Sequence, residues 1–199
     1  MRTGSNHYKA YVGPIKRYDT MSYLQFCIMC KVGLREHHKL LDIGCGSLRA
    51  GKLFIPYLLP GNYYGVEPNK WLVDEGVKNE VGQDLIDIKH PHFLHVDDYS
   101  FETFNVKFDF ILAQSIFSHA STGDITKCLI TAKKCMDKHS VMMVTFVEGD
   151  TDYNGDDWVY PGVVKYKPET ISKMVQSCEL QCKRTSFEHP AQTWYLIRK

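Results

Sequence analysis

The sequence lacks an excess of charge of either sign, and it lacks any long hydrophobic run. Twenty-four lysine and arginine residues against twenty-three aspartate and glutamate residues leave a formal net charge of +1. A chain with so little net charge has no global field that would draw it to nucleic acid or to an anionic membrane. Its uncharged stretches fall far short of the ~20 apolar residues that a membrane span needs. We therefore expect no membrane segment, and a nucleic-acid partner is disfavoured.

The sequence also lacks a secretory signal and a disulfide pattern. Residues 1–7 are polar, without the apolar core and small-residue cleavage site of a signal peptide. The seven cysteines are odd in number and lie inside apolar or periodic segments, not at turn-rich spacings. We expect a cytoplasmic protein with reduced thiols.

One cysteine pair raises the question of a zinc site. Cys27 and Cys30 have the two-residue gap of a zinc half-site, and His37 and His38 follow them. The same segment carries an apolar stripe with helical spacing, and a small buried thiol on such a stripe needs no metal to explain it. The stripe consists of Met21, Leu24, Ile28 and Val32. We predict no metal site.

The remaining composition describes a single folded domain. With 199 residues, 44% hydrophobic and 24% charged, the chain is long enough for a sizeable core and too short for two ordinary domains. Apolar strand-like runs alternate with amphipathic helical segments, which is typical of a mostly parallel sheet covered on both faces. We divide the domain 1–199 into a helical cover over residues 1–38, a core over 39–148, and a last part over 149–199.

The pattern places the individual elements along this domain. The predicted strands are 39–44, 63–67, 93–96, 108–113 and 141–147, then an exposed or edge strand over 158–166, and a final hairpin of 180–187 with 193–197. The predicted helices run through 48–59, 71–77 and 125–136, the last capped by Ser121, Thr122 or Asp124, and from Pro168 to Cys178.

The most informative stretch is the end of the first predicted strand, where a glycine turn precedes a helix. Gly44 and Gly46 let the backbone approach a ligand where any Cβ would collide, although the same turn occurs in α/β proteins without a ligand there. Asp42 can accept hydrogen bonds from a ligand or hold the turn. Glu67 ends the second strand, where a carboxylate can accept hydrogen bonds from both hydroxyls of a ribose. Two such motifs in register indicate a nucleoside-containing ligand.

The glycine spacing argues against a dinucleotide. A dinucleotide fold has a third glycine at the sixth position of Gly-x-Gly-x-x-Gly, and Arg49 stands at that position here. An arginine would crowd the packing of helix on strand. A nicotinamide-dependent oxidoreductase is therefore the disfavoured alternative.

Four segments resemble the motifs of the class I S-adenosylmethionine-dependent methyltransferases. These segments are Leu-Asp-Ile-Gly-Cys-Gly at 41–46, Tyr-Gly-Val-Glu-Pro at 64–68, Val-Asp-Asp at 96–98 and Phe-Asp-Phe-Ile-Leu-Ala-Gln-Ser at 108–115. The resemblance implies a Rossmann-like fold with a seven-stranded, mostly parallel sheet, helices on both faces and a C-terminal antiparallel hairpin. It also implies S-adenosyl-L-methionine as cofactor, S-adenosyl-L-homocysteine as product, and a cofactor-binding role for the core 39–148.

The resemblance also assigns roles to the first two motifs. Gly44, Cys45 and Gly46 would lie under the methionine moiety and the ribose of the cofactor. Asp42 would fix the turn or contact the amino group, and Glu67 would bind the ribose hydroxyls.

The later motifs and the helix after the glycine turn would complete the cofactor site. Either Asp97 or Asp98 would contact the adenine edge, and Gln114 would lie at the methionine end near the sulfonium. Arg49 would pair with the cofactor carboxylate, a charge-assisted contact, or lie on the helix surface. The sequence departs from many relatives at Leu48, where they have a third glycine, so the turn should differ slightly.

Two residues are candidates for the methyl-transfer step itself. A hydroxyl acceptor needs a base because it is largely un-ionised at neutral pH. His119 follows the fourth strand closely, and its ordinary pKa of ~6.5 suits that task. The alternative is that His119 packs behind the cofactor. Tyr18, from the N-terminal cover, is the second candidate, and Asp19 and His189 could also reach the site.

The sequence constrains the nucleophile and the binding partners less than it constrains the cofactor. Methyltransferases that act on exocyclic amines of nucleobases carry an Asn/Asp-Pro-Pro-aromatic sequence after the fourth strand, which the segment 113–116 lacks. A finer resemblance, to small bacterial methyltransferases of surface-glycan or natural-product pathways, implies O-methylation of a small metabolite or glycan precursor. Protein or RNA methylation and a catalytically silent cofactor-binding subunit are the alternatives. A homodimer remains open, as do the acceptor and any metal dependence.

Overall fold

A computed structural model describes residues 1–199. The chain divides into two compact units, residues 1–98 and residues 99–199. The strand order of the seven-stranded sheet is β3-β2-β1 in the first unit and β4-β5-β7-β6 in the second. The assignment of 1–199 to one domain stays a prediction.

The first unit contains three short parallel strands. They are β1 (Leu40–Ile43), β2 (Tyr63–Val66) and β3 (His92–Leu94). β2 lies between the other two, with Ile43 opposite Val66 and Val66 opposite Leu94. Every residue of β1 and β2 is buried, as the continuous apolar runs of a parallel sheet predict. The carboxyl ends of β1 and β2 therefore lie side by side.

The helices of the first unit precede these strands in the sequence or lie between them. They are α1 (Tyr8–Tyr11), a short 3-10 helix (Ile15–Arg17), α2 (Tyr18–Lys31), α3 (Gly51–Tyr57), α4 (Lys70–Gly76), a π-helical turn (Val77–Val81) and α5 (Gln83–Lys89). α5 has no counterpart among the sequence predictions. It ends at Lys89, and the next residue, His90, adopts a left-handed conformation.

The second unit contains the other four strands, β4 (Phe110–Ala113), β5 (Val141–Phe146), β6 (Gln181–Arg184) and β7 (Thr193–Arg198). β4 and β5 are parallel, whereas β7 runs antiparallel to both β5 and β6. The predicted C-terminal hairpin is thus confirmed, and so is the mostly parallel sheet. Because β7 is antiparallel to β5, its first residue Thr193 pairs with Phe146 at the carboxyl end of β5.

Two helices and one 3-10 turn complete the second unit. They are a 3-10 helix (Phe101–Phe104), α6 (Thr122–Cys135) and α7 (Pro168–Ser177). Ser121 caps α6 in a capping box with Asp124, so the predicted helix start is confirmed. Pro168 occupies the first turn of α7, also as predicted.

The predicted strand over residues 158–166 is wrong. This segment forms bends and loops, and only Tyr166 makes a bridge, to Glu148. Pro161 and Gly162 interrupt any ladder, because proline cannot donate a backbone hydrogen bond and glycine adds no side chain to pack. The segment instead contacts His119, as described below.

None of the helices combines the length and the apolar character that crossing a bilayer requires. The structure also contains no group of three or more His, Cys, Asp or Glu side chains arranged to hold a metal ion. Cys27 and Cys30 lie within α2, and both are half-buried free thiols.

Candidate functional site

The turn that follows β1 has an unusual backbone. Gly44, Gly46 and Leu48 have φ angles of +70°, +54° and +57°, so three alternate residues adopt left-handed conformations. Glycine adopts such angles without strain, but leucine does not. The third left-handed position of this turn is therefore occupied by a leucine and not by a glycine.

Backbone hydrogen bonds hold this turn against the end of β2. The N–H groups of Gly44 and Cys45 both donate to the carbonyl oxygen of Val66, at 2.8 and 3.0 Å. The N–H of Gly46 donates to Oε2 of Glu67 at 3.2 Å. The two motifs that the sequence separates by twenty-one residues are thus in direct contact.

Glu67 is a buried carboxylate, only 7% exposed. Its Oε1 accepts hydrogen bonds from the backbone N–H and the side-chain amide of Asn69, both at 2.9 Å. Burial raises the pKa of Glu67, while the bonds from Asn69 and Gly46 act in the opposite direction. Oε2 accepts one bond and keeps capacity for a second, because each carboxylate oxygen has two lone pairs. Asn69 was not among the predicted site residues. The only sequence feature that indicates it is its position two residues after Glu67.

Asp42, on β1, is a buried acid. The hydroxyl of Tyr63 on β2 donates to its Oδ2 at 2.7 Å. Burial raises the pKa of Asp42 to about 6, against the opposing effect of the Tyr63 hydrogen bond. This contact ties β1 to β2, and both roles expected for Asp42 stay predictions. The Cys45 thiol is also buried, and a Cβ on Gly65 would lie 2.9 Å from its sulfur.

An N-terminal segment packs directly on the glycine turn. We name residues 8–13 the N-terminal strap. A Cβ on Gly46 would lie 2.6 Å from Cγ1 of Val12, so the strap occupies the space beside this glycine. Arg49 donates from Nη1 to the carbonyl oxygen of Val12 at 2.7 Å. Arg49 therefore holds the strap, and its pairing with a cofactor carboxylate stays a prediction.

Tyr18, at the start of α2, supports the same turn. Its hydroxyl donates to the carbonyl oxygen of Ser47 at 3.0 Å and lies 3.1 Å from the Ser47 hydroxyl. The side chain is only 1% exposed, and burial raises its pKa further above the ordinary value. Such a phenol does not release its proton near neutral pH. The contacts favour a structural role for Tyr18 over the catalytic one, which stays a prediction.

A cluster of charges around the buried side chain of Glu80 fixes the strap to the helices of the first unit. Both oxygens of Glu80 form ion pairs, one with Lys9 at 2.7 Å and one with Lys52 at 2.9 Å. The hydroxyl of Tyr8 also donates to Glu80, at 2.9 Å. Lys52 pairs in addition with Asp19 on α2. No sequence pattern indicated this cluster, because its members are far apart in the chain.

Asp97 and Asp98 follow β3, and both are exposed. The neighbouring His95 donates from Nδ1 to the carbonyl oxygen of Glu67 at 2.8 Å, which ties this segment to the end of β2. The choice between the two acids as the adenine contact stays open.

In the second unit, a polar cluster follows β4. The backbone N–H of Ser115 donates to Oγ1 of Thr145 at 2.8 Å, and the amide of Gln192 donates to Oγ of Ser115 at 2.8 Å. The amide of Gln114 contacts Ser115 and lies 3.2 Å from Nε2 of His189. Ser115 itself has a φ of +60°. The sequence predicted Gln114 as a site residue but gave no signal for Gln192.

His119 is anchored by segment 158–166, for which the sequence pattern predicts a strand. Its Nδ1 lies 3.0 Å from the carbonyl oxygen of Val159 and 2.7 Å from that of Gly162. Carbonyl oxygens only accept hydrogen bonds, so Nδ1 carries the proton and Nε2 has the lone pair. Burial lowers the pKa of His119, against the opposing effect of these two bonds. The imidazole is therefore neutral near pH 7, with a basic nitrogen on the side away from its anchors.

The aromatic surroundings of His119 come from the same segment. The ring of Trp158 lies 5.7 Å from the imidazole, centre to centre, and that of Tyr160 lies 5.0 Å away. Trp158 is 47% exposed. The segment thus both orients His119 and presents an aromatic surface beside it.

Comparison with known structures identifies the fold. The chain matches no family model and no curated protein. It is similar to an S-adenosylmethionine-dependent methyltransferase from Clostridium acetobutylicum ATCC 824, with a TM-score of 0.67 and 14% identity over 96% of this chain and 95% of that one. The chain has the class I methyltransferase fold.

Two further methyltransferase-fold structures were solved with a ligand named. Magnesium protoporphyrin IX methyltransferase (ChlM) from Synechocystis PCC 6803, with bound SAH, gives a TM-score of 0.63 and 13% identity over 93% of this chain and 87% of that one. DhpI in complex with SAH gives a TM-score of 0.69 and 10% identity, with coverages of 98% and 91%. The fold implied by the sequence resemblance is confirmed.

Proposed function

We propose that this chain is an S-adenosylmethionine-dependent methyltransferase that methylates an oxygen of a small metabolite or glycan precursor. The observation that carries the proposal is the contact between the Gly46 N–H and the buried Glu67 carboxylate, within a class I methyltransferase fold. This contact joins a left-handed glycine turn to an acid with spare acceptor capacity. Similar proteins with bound SAH support the choice of ligand.

The residues present suit this cofactor. Oε2 of Glu67 can accept a hydrogen bond from a ribose hydroxyl without losing the one from Gly46. Gly44 is half-buried and has no side chain to obstruct an approaching ligand. For the other contacts we keep the assignments that the resemblance implies: Asp97 or Asp98 for the adenine and Gln114 for the methionine end.

S-Adenosylmethionine, when bound, supplies an electrophilic methyl group on its sulfonium. The protein then has to align the acceptor oxygen with the S–CH3 bond and exclude water, and positioning alone can lower a barrier by up to ~7–11 kcal/mol. The O–CH3 bond forms as the S–CH3 bond breaks, and the electron pair of the broken bond stays on sulfur. The acceptor's hydroxyl proton passes to Nε2 of His119, which the anchoring of Nδ1 leaves unprotonated.

The first test concerns the cofactor. Glu67→Ala should weaken binding of S-adenosylhomocysteine by about 1–3 kcal/mol, because the ribose hydroxyls lose their acceptor. Isothermal titration calorimetry measures the change, with circular dichroism to confirm folding. Asp74→Ala is the matched control, because Asp74 is an exposed carboxylate on α4 and pairs only with Lys70. Wild-type protein that shows no binding would refute the proposed function.

The second test concerns the base. His119→Asn keeps a donor where Nδ1–H contacts Val159 and Gly162, but removes Nε2. We expect turnover to fall about 10²–10⁴-fold with unchanged affinity for S-adenosylhomocysteine. A labelled-methyl screen of metabolite extracts supplies the acceptor for this assay. Turnover at the wild-type level would remove His119 from the reaction, and label entering protein or RNA would favour the macromolecular alternative.

A further inference from the structure

The two carboxylate oxygens of Glu67 differ in the acceptor capacity that they have left. Oε1 accepts from the backbone N–H and from the side-chain amide of Asn69, both at 2.9 Å. Two accepted bonds use both lone pairs of that oxygen. Oε2 accepts from the N–H of Gly46 at 3.2 Å, which uses one of its two lone pairs. The buried carboxylate therefore has one acceptor position left, and it is on Oε2.

Asn69 immediately precedes α4, at the N-cap position. An asparagine there usually accepts a hydrogen bond through its side-chain oxygen from the first turn of the helix. The side chain of Asn69 makes no such capping bond. The helix start is bonded through the backbone instead, because the N–H of Leu72 donates to the carbonyl oxygen of Asn69 at 2.9 Å. The side-chain amide of Asn69 thus contacts the acid and does not cap the helix.

The chemistry of this contact fixes the orientation of the Asn69 amide. A carboxylate only accepts hydrogen bonds, so the NH₂ group and not the oxygen of the amide faces Oε1 of Glu67. The other two donors to Glu67 are backbone N–H groups, those of Gly46 and of Asn69 itself. The side-chain amide is therefore the one donor that a substitution can remove without altering the backbone.

From these contacts we infer that Asn69 is a positioning residue for the cofactor: it occupies Oε1 of Glu67, so that the acid accepts from a single ribose hydroxyl, through Oε2. The inference rests on the proposed function, in which Glu67 binds the ribose. The sequence predicts an acid that accepts from both hydroxyls, which requires a free position on each oxygen or two on one. Here a single position is left, so the affinity for the cofactor depends on Glu67 through one hydroxyl.

Deoxy analogues of the product test the single contact. Isothermal titration calorimetry compares S-adenosylhomocysteine with its 2′-deoxy and 3′-deoxy forms, on the wild type and on Glu67→Ala. In the wild type, removal of the hydroxyl that contacts Glu67 should weaken binding about 10-fold. In Glu67→Ala the same removal should change the affinity less than about 2-fold, whereas the effect of removing the other hydroxyl should be equal in both proteins. If both effects shrink in Glu67→Ala, the acid accepts from two hydroxyls and the inference is overturned.

Asn69→Asp separates positioning from helix capping. Aspartate is as good an N-cap residue as asparagine, so a capping role would leave binding and the melting temperature unchanged. In the positioning role, a second carboxylate replaces the donor to Oε1 of Glu67. We then expect S-adenosylhomocysteine to bind at least about 30-fold more weakly, because two like charges lie side by side. Asn69→Ala removes the donor without adding a charge, and we expect it to weaken binding about 5-fold.

Asn79→Asp is the matched control. The amide of Asn79 also donates to a carboxylate, Oε2 of Glu75 at 3.1 Å, but this pair is exposed. The same change of charge there should leave the affinity within about 2-fold of wild type. Circular dichroism confirms folding of each variant. Wild-type affinity of folded Asn69→Asp or Asn69→Ala would overturn the inference while the proposed function stands. Absence of binding by the wild type would overturn the proposed function, and the role of Asn69 with it.

Discussion

Leu48 shows how a single residue can keep an unfavourable backbone. Its φ of +57° costs an L-amino acid roughly 1–2 kcal/mol. Its side chain is fully buried, and it lies so close to α3 and α4 that a Cβ on Gly51 or on Gly76 would be 3.1 Å from the Leu48 Cβ. Burial of a leucine side chain contributes about 1.5–3 kcal/mol, which offsets the strain. A leucine can therefore occupy a left-handed position that glycine would adopt without strain.

This balance predicts an inverted ranking of two substitutions. Leu48→Ala and Leu48→Gly should both destabilise the protein, because each removes a buried side chain. The glycine variant should nevertheless be more stable than the alanine variant by about 1 kcal/mol, because glycine alone relieves the left-handed strain. At ordinary helix or strand positions glycine is the less stable of the two by about 0.5–1 kcal/mol. Urea unfolding of both variants measures the order, and a more stable alanine variant would contradict this account.

At the scale of elements, the N-terminal strap depends on Glu80. Burial raises the pKa of Glu80, but hydrogen bonds from Lys9, Lys52 and Tyr8 outweigh it and hold the pKa below its usual range. The stability that Glu80 contributes is therefore present above its ordinary pKa of 4.5 and is lost as the pH falls through the lower value in the folded protein.

Glu80→Ala should lower the free energy of unfolding by about 3 kcal/mol at pH 7, because it leaves the ammonium groups of Lys9 and Lys52 without their buried partner. Limited proteolysis should then cut the strap faster. Asp74→Ala, which breaks only the exposed pair with Lys70, should cost less than about 0.5 kcal/mol. The difference between Glu80→Ala and wild type should shrink as the pH falls below 4.5. Equal effects of the two substitutions at pH 7 would show that the cluster adds nothing beyond surface charge.

The sequence predicted what depends on local pattern. Buried strands have continuous apolar runs, and the α6 cap has a serine with an acid three residues later, so both could be read directly. The segment 158–166 could not, because its role is to contact His119, about forty residues earlier in the chain. The spacing of the glycines and of the acid indicated Gly46 and Glu67. Asn69 and Val12 contact these two residues in the folded protein, but no spacing in the sequence indicates those contacts. Contacts between distant residues leave no local periodicity.

At the scale of the whole molecule, binding of the ligand should raise the free energy of unfolding. A ligand that binds only the folded chain adds about 2.7 kcal/mol when its free concentration is 100 times Kd. For a chain of this length that corresponds to a rise in Tm of about 5–10 °C. Differential scanning fluorimetry with S-adenosylhomocysteine measures it, and Glu67→Ala should show much less of the rise at the same concentration. Equal rises in the two proteins would indicate that the ligand binds elsewhere.

The closeness of Val12 to Gly46 has an evolutionary consequence. A methyl group on residue 46 and the isopropyl group of residue 12 would overlap sterically. Substitutions at the two positions are therefore not independent in evolution. Homologues that carry alanine at 46 should have a smaller residue at 12, and a library selected for function should recover the two changes together more often than either one alone.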